Sequence, residues 1–594
     1  MCGIFFALSA SGPVLPNEET CCLLRNRGPD NYHVHNVERT VTTTQSGDGP
    51  PVAIYLSFIS TVLSMRGGYL VRQPLVDEQT QSVLCFNGDA WKIAGEPITS
   101  NDAELIFELL LQAASSPSTD VSGDGRVESV QRILDVISGI SGPLAIVFYD
   151  AVNSRLFFTR DCLGRRSLLQ GLDDSGNLKI CSLCDGTSST HFSEVETNGV
   201  HMVDFEHDIF QVDTGSTAPS GTLSFAASSI QTFLWSQENS GTPNCLISPI
   251  PSMNMSIPEV TPPVLSVETL AVKELEQKLR QSLALRIQNV RDPPTNSCGS
   301  NVRVAVLFSG GLDCTLLARL SHEILPEGQA IDLLNVAFEN PRVAAAAAGK
   351  EGMAGSVYEN CPDRITGRSA FAELQRVCPG RNWRFVAIDI PYVETVAHRE
   401  TVKRLMRPHN TEMDLSIACA LYFASRGQGT AYDSLQDAGQ PTEYITSARV
   451  LLSGLGADEL FAGYSRHGVA FSRDSFKGLI DEINLDVSRL GKRNLGRDNR
   501  VIANWGREAR FPFLDEDFVS WVVQLPVWEK CGFGTSPPES QSPESGLESE
   551  KKALRLVALR LGMTSVAREK KRAIQFGSRT AKMEKGKTKG TDAL

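Results

Sequence analysis

Beyond Leu265 the chain alternates apolar runs that read as strands (302–308, 331–338, 384–390 and 448–452) with stretches of helical periodicity, the first over 268–287. This predicts an α/β domain with a parallel sheet, because parallel strands need crossover connections that lay helices on both faces. Residues 1–205 read differently: short β-rich runs (52–58, 81–87, 144–149, 156–159) are separated by glycines, with one apolar-periodic helix near 103–113. That pattern predicts a sheet-rich α+β domain. Residues 206–265 are rich in Ser, Thr, Pro and Gly, with Pro249, Pro251, Pro258, Pro262 and Pro263 interrupting regular structure. They read as a linker or long loop. A chain of 594 residues needs at least two cores, since single cores stop growing at roughly 250–300 residues.

Stretch 115–125 reads as a surface insertion, 343–358 and 535–550 as disordered surface insertions, and the basic tail 580–594, with Lys582, Lys585, Lys587 and Lys589, as solvated or disordered chain. The formal net charge of −12 argues against a nucleic-acid partner. No apolar run approaches the ~18 residues of a membrane helix, and a cytoplasmic protein with no membrane partner is expected. Fourteen cysteines without a regular framework suit a reducing compartment. Cys181 and Cys184 form one C-x-x-C, but no second pair completes a zinc site, and Cys21 and Cys22 read as buried small apolar residues.

Three places carry chemistry. Removal of Met1 from Met1-Cys2-Gly3-Ile4 leaves Cys2 with a thiol and a free α-amine, a nucleophile and its own base on one residue. The strand over 302–308 runs into Ser309-Gly310-Gly311-Leu312-Asp313-Cys314 and then a helix. Glycines let the backbone approach an anion, and the free amides and dipole of the helix start point at it. The strand over 448–452 runs into Ser453-Gly454-Leu455-Gly456-Ala457-Asp458-Glu459 in the same way. Carboxylates beside a phosphate site imply a nucleotide-borne Mg²⁺ between them.

The first of these loops resembles the S-G-G-x-D-S pyrophosphate loop of ATP pyrophosphatases, with Cys314 in place of the last serine. Over nearly its whole length the chain resembles the class II glutamine-dependent asparagine synthetases. The likeness rests on Cys2-Gly3-Ile4, Arg27-Gly28-Pro29-Asp30, Phe86-Asn87-Gly88-Asp89, Arg160-Asp161 with Gly164, both glycine loops, and Arg510-Phe511-Pro512-Phe513-Leu514-Asp515. Arg493-Asn494-Leu495-Gly496-Arg497-Asp498 and Gln575-Phe576-Gly577-Ser578-Arg579 point to a eukaryotic branch of that family rather than to the synthetases proper.

The resemblance implies an N-terminal-nucleophile glutaminase domain, a sheet sandwich over 1–205, followed by an ATP pyrophosphatase domain over 266–594. It implies that Cys2 attacks the glutamine amide, that Asn87 and Gly88 hold the oxyanion, and that Asp102 pairs with the glutamine α-ammonium, with Asp89 standing where the family has Glu. It places Phe308, Ser309, Gly310, Gly311, Cys314, Val336, Ser453 and Gly454 around ATP, and Asp313 and Asp458 at the Mg²⁺-bound pyrophosphate. Lys571 or Arg572 supplies the basic group at the phosphates.

Besides Cys314 and Asp89, three further places depart from the family pattern. Val62 stands where an arginine grips the glutamine carboxylate, with Arg66 nearby as a substitute; Leu455 replaces a glutamate tied to aspartyl adenylate formation; Thr411 to Ser416 reads T-E-M-D-L-S, without the arginine of the aspartate side. The expected function is transfer of glutamine nitrogen to an ATP-activated acid, aspartate by default, giving asparagine, AMP and pyrophosphate. The alternatives are a pseudoenzyme acting as a nucleotide-binding scaffold, and a protein with only one working half.

Overall fold

The computed structural model describes residues 1–41, 51–115, 125–186, 192–207, 209–212, 223–237, 246–292, 302–347, 356–433, 442–535, 543–583 and 589–594. Two compact units emerge: Met1–Pro249 joined by Gly491–Gly506, and Ile250–Leu490 joined by Arg507–Leu594.

The first unit is built on two mostly antiparallel sheets. One has the order Ser193–Glu194, Leu169–Leu172, Leu178–Cys181, Gly3–Ser9, Val52–Val62, Asn31–Val41. The other runs Leu246–Ile247, Ile230–Ser236, Gly199–Asp204, Arg155–Arg160, Leu144–Asp150, Val83–Gly88, Leu75–Val76. Side chains alternate across a strand, so Val83, Cys85, Val147 and Tyr149 join Ile4, Phe6 and Phe58 in the core between the sheets. Their neighbours Leu84, Phe86, Ile146 and Phe148 face Ile106 and Leu110 of helix Asp102–Ser115 and Ile133 and Leu134 of helix Gly125–Ser138. The sandwich therefore carries a helical layer outside its second sheet.

The expected linker departs from this picture. Phe210–Val212 pairs with Leu223–Phe225, and Ile230–Ser236 extends the second sheet beside Gly199–Asp204. The Ser/Thr content hides a strand whose Phe233 and Trp235 pack on the helical side of the sheet. Cys21 and Cys22 also differ from expectation, being half-buried and exposed.

The second unit holds a seven-stranded sheet in the order Thr442–Ile445, Gln428–Tyr432, Trp383–Ile390, Ile331–Phe338, Val304–Leu307, Val450–Leu452, Glu508–Arg510. The last five strands are mutually parallel, and the first two are antiparallel additions at one edge. Ile331–Phe338 is buried at every residue, as a strand covered on both faces must be. From Val304–Leu307 the chain first builds the sheet on one side and later returns to add Val450–Leu452 on the other. That reversal is a topological switch point, where open α/β sheets bind ligands.

Of the expected insertions, 343–358 begins inside helix Pro341–Ala347, and its residues 348–355 lie outside the described residues, as do 116–124 and 536–542. Of the expected solvated tail, residues 584–588 lie outside the described residues, and 589–594, though largely exposed, are tied to a helix start. Met413 and Glu412 donate their backbone N–H groups to Gly590 and Asp592 carbonyls, and Ala593 bridges Thr411. These are orphan donors of the helix start at Glu412–Arg426, which the tail satisfies. No helix among the described residues is long and apolar enough to cross a membrane.

Candidate active sites

In the first unit, strand Gly3–Ser9 begins beside Cys2 and places it at the end of the sandwich core. Gly3 N–H donates to Thr61 Oγ1 at 2.9 Å and Ile4 N–H to Ser182 Oγ at 2.9 Å, which fixes the strand end. Cys2 is buried, and its backbone N–H donates to Asn87 Oδ1 at 3.0 Å. Asn87 is fully buried, and its Nδ2 has no hydrogen-bond partner. An unsatisfied buried amide donor costs about 1–3 kcal/mol. Gly88 packs so closely that a Cβ there would lie 2.4 Å from the Phe86 ring and 2.8 Å from Pro143 O.

Asp102 is buried at the start of its helix, where its carboxylate accepts from Ala90 N–H at 2.9 Å and Ala103 N–H at 3.1 Å. Burial pushes its carboxyl above the ordinary range, while Arg66 and these amides pull the other way. Arg66 Nε lies 3.5 Å from Asp89 Oδ1, its Nη1 donates to Ala90 O, and it stacks 5.4 Å over Trp91. The fold thus brings Arg66, Asp89 and Asp102 together. Val62 ends strand Val52–Val62 in the core, its carbonyl accepting from Asp30 N–H at 2.9 Å.

Sequence reasoning left one group around Cys2 unassigned. Arg27, fully buried at the end of helix Glu18–Arg27, donates from Nε to Cys2 O at 3.4 Å, and its Nη1 has no hydrogen-bond partner. Burial, then Arg500 and Arg166, push this guanidinium down to about 9, while Cys2 pulls it up.

In the second unit the two glycine loops meet at the switch point. A Cβ on Gly454 would sit 2.7 Å from Asp313 Cβ, so the loops touch. Helix Leu312–Ile324 starts at Gly311, whose missing Cβ would meet only Ser309 Oγ, at 3.4 Å. Gly310 takes φ +79° with Thr366 and Gly367 backbone 2.4 Å from its would-be Cβ, which only glycine tolerates. Cys314 takes the place of the expected hydroxyl, its Sγ 3.6 Å from Ser309 Oγ and 3.4 Å from Gly311 O, and burial pushes its thiol up. Phe308, just past strand Val304–Leu307, and Val336 on the adjacent strand are buried, Phe308 N–H donating to Leu334 O at 2.8 Å. Asn335 ties this region to helix Pro362–Val377 by donating to Phe308 O at 2.9 Å and Asp363 O at 2.8 Å.

Asp313 and Asp458 share one buried cation. Lys551 Nζ lies 2.8 Å from Asp313 Oδ2 and 2.9 Å from Asp458 Oδ1, while Lys571 Nζ pairs with Asp458 Oδ2. Despite burial, the two lysines hold the Asp458 carboxyl far below its usual range, and the two aspartates push Lys551 up. Of the two basic residues expected here, Lys571 reaches Asp458, whereas Arg572 Nη1 faces Asp363 Oδ1 at 3.7 Å. Glu459 is half-buried, with Tyr464 O–H donating to its Oε1 at 2.5 Å, and desolvation and Asp458 push its carboxyl up. Leu455 projects no ionisable group here, and its N–H donates to Ser453 Oγ at 3.4 Å.

The asparagine synthase family profile matches residues 477–590. Over the whole chain the sequence is 33% identical to the asparagine synthetase domain-containing protein 1 of Bos taurus, covering 100% of this chain and 97% of that one. The Homo sapiens protein of the same name is 33% identical over 90% of this chain and 89% of its own. An asparagine synthetase domain-containing protein of Saccharomyces cerevisiae is 32% identical over 91% and 87%. The chain belongs to the asparagine synthetase domain-containing protein 1 family.

Proposed function

We propose that the chain is a glutamine-hydrolysing, asparagine synthetase-like amidotransferase with a glutaminase centre at Cys2 and an adenylating centre at the two glycine loops. The observation that carries this reading is Asn87: its Oδ1 is taken by the Cys2 N–H, and its buried Nδ2 is left without a partner beside the nucleophile. A preorganised donor of that kind suits the oxyanion of a tetrahedral intermediate.

With Met1 removed, the Cys2 α-amine takes the thiol proton and Sγ bonds to the glutamine amide carbon. Asn87 Nδ2 and the Gly88 amide hold the oxyanion. The C–N bond breaks, ammonia leaves with the proton, and water hydrolyses the thioester to glutamate and free Cys2. Asp102 receives the substrate α-ammonium, which favours its ionised form, and Arg66 receives the α-carboxylate in place of the arginine lost at Val62. At the other centre the acceptor carboxylate attacks the ATP α-phosphorus, pyrophosphate departs, and ammonia then displaces AMP from the acyl adenylate. Lys551 and Lys571 offset charge on the departing phosphates. Asp313 and Asp458 are the residues that would hold a nucleotide-borne Mg²⁺, and the ion would supply charge neutralisation there.

A second reading, a nucleotide-binding scaffold without turnover, draws on Leu455 and on the burial of Val62 where substrate-side charges are expected. ATP–pyrophosphate exchange across candidate acids separates the two. Exchange with an acid, and glutamine-dependent release of AMP and amide product, supports the amidotransferase. ATP binding without exchange for any acid would sink it.

A further inference from the structure

Helix Leu495–Ala503 lies in the C-terminal half of the sequence yet belongs to the first unit, and all nine of its residues are buried. The Arg493-to-Asp498 motif, to which neither proposed reaction assigns a role, runs into its first turn. Its seat is tight. A Cβ on Gly496 would fall 2.5 Å from Glu194 Oε1, and Glu194 also receives Arg500 Nη1 at 2.7 Å and Arg160 Nη1 at 2.9 Å. Arg500 Nη1 additionally donates to Ser167 Oγ at 2.7 Å, and Asn26 Nδ2 donates to Asn504 Oδ1 at 3.3 Å.

Asn499 stands at the inner face of this helix, fully buried. Its Oδ1 accepts from Arg27 Nη2 at 3.0 Å and Ser167 N–H at 3.4 Å. Its Nδ2 donates to Arg165 O at 3.2 Å and lies 2.6 Å from Met1 Sδ. A primary amide has two acceptor sites and two donors, and all four are engaged here. No other side chain of this size offers both kinds of group, and only a neutral one holds Arg27 without cancelling its charge.

We propose that Asn499 is a positioning residue of the glutaminase centre, holding the Arg27 guanidinium at the Cys2 carbonyl and walling the space that Met1 occupies before processing. The role rests on Cys2 being the nucleophile. A cation held beside a thiol favours the thiolate, and the attraction is mutual. Asn499 therefore acts on Cys2 through Arg27. The charged groups around this centre are Arg27 from helix Glu18–Arg27, Arg165 and Arg166 after strand Arg155–Arg160, Arg160 and Asp161 at the end of that strand, Glu194, and Arg500 from the returning helix. Arg165 is paired with Asp161 at 2.9 Å and Arg500 with Glu194 at 2.7 Å, whereas the partner given to Arg27 is an amide.

The test uses the full chain as wild type, Asn499→Ala and Asn499→Asp. Iodoacetamide labelling of Cys2 is followed against pH by mass spectrometry of the N-terminal peptide, alongside glutamine hydrolysis and thermal unfolding. Asn499→Asp keeps an acceptor for Arg27 but adds a charge that neutralises it. The expected result is a folded protein whose Cys2 labelling midpoint rises by about one pH unit, with about tenfold lower kcat at neutral pH and less than about threefold change in KM. Asn499→Ala, which frees Arg27, is expected to move the midpoint in the same direction. Wild-type labelling and kcat in either folded variant overturn the proposal, and so does loss of folding in both, which makes Asn499 structural. If wild type hydrolyses no glutamine but the labelling shift is seen, the proposed function fails while the action of Asn499 on the Cys2 thiol through Arg27 stands. If wild type is active and the variants match it, the role of Asn499 fails alone.

Discussion

Asn87 shows how one side chain divides its two polar atoms: Oδ1 anchors the Cys2 backbone, and Nδ2, without a partner, is the atom that the proposed glutaminase reaction gives to the oxyanion. Asn87→Ala is therefore expected to lower kcat for glutamine hydrolysis on the order of 10²-fold, with a lower Tm because the buried Cys2 N–H loses its acceptor. Lys551 is the counterpart in the second unit. Lys551→Ala leaves Asp313 and Asp458 facing each other without their shared cation, and breaking a buried ion pair costs about 3–5 kcal/mol. A lower Tm and loss of ATP–pyrophosphate exchange should appear together. Asp363 offers a pH readout. Burial, against Arg572 and Lys571, pushes its carboxyl up to about 7, above the ~4 of an unfolded chain. The folded state then holds the proton more tightly, so this group's stabilisation is full at low pH and is lost as pH rises through that window. In unfolding titrations from about pH 5 to about pH 8, wild type should lose stability relative to Asp363→Asn; parallel curves would refute the assignment.

Two elements depend on close approach or capping. Gly310→Ala places a Cβ 2.4 Å from the backbone of helix Pro362–Val377 at φ +79°. Backbone cannot yield as a side chain can, so the variant should lose nucleotide binding in a direct titration, even if the rest of the unit folds. Deleting residues 589–594 removes the acceptors of Glu412 and Met413 N–H and the bridge to Thr411. Each net hydrogen bond contributes about 1 kcal/mol, so the truncated chain should unfold a few degrees lower, with slow-exchanging amides lost first in helix Glu412–Arg426. Strand and helix periodicity made the parallel strands readable, and glycine turns marked both loops. Strand Ile230–Ser236 escaped because its apolar positions lie among Ser, Thr and Gln, a composition shared by loops. Lys551 escaped because Glu550-Lys551-Lys552 after a Ser/Pro/Glu-rich stretch looks like solvated charge. Its burial comes from partners more than 90 residues away.

At the scale of the whole molecule, the order of residues along the chain is not the order of the units. Sequence patterning divides the chain once, near 205–265, whereas packing assigns Gly491–Gly506 to the first unit. A fragment of residues 1–249 alone leaves the buried Arg27 and Glu194 without Asn499 and Arg500, and is expected to be insoluble or to unfold well below the full chain when measured by calorimetry. What the amino-acid sequence determined by itself was local: which runs are strands and where glycines open turns at strand ends, the places from which the candidate residues Cys2, Asn87, Asp102, Asp313 and Asp458 were picked out. These follow from periodicity and backbone freedom, which act over a few residues. The tertiary structure decided what depends on partners distant along the chain: Arg66 beside Asp89 and Asp102, Lys551 between two aspartates, and a helix from the C-terminal half completing the surroundings of Cys2. A buried charge is stable only where the fold supplies its counter-charge or hydrogen-bond partner, and no local pattern encodes that meeting.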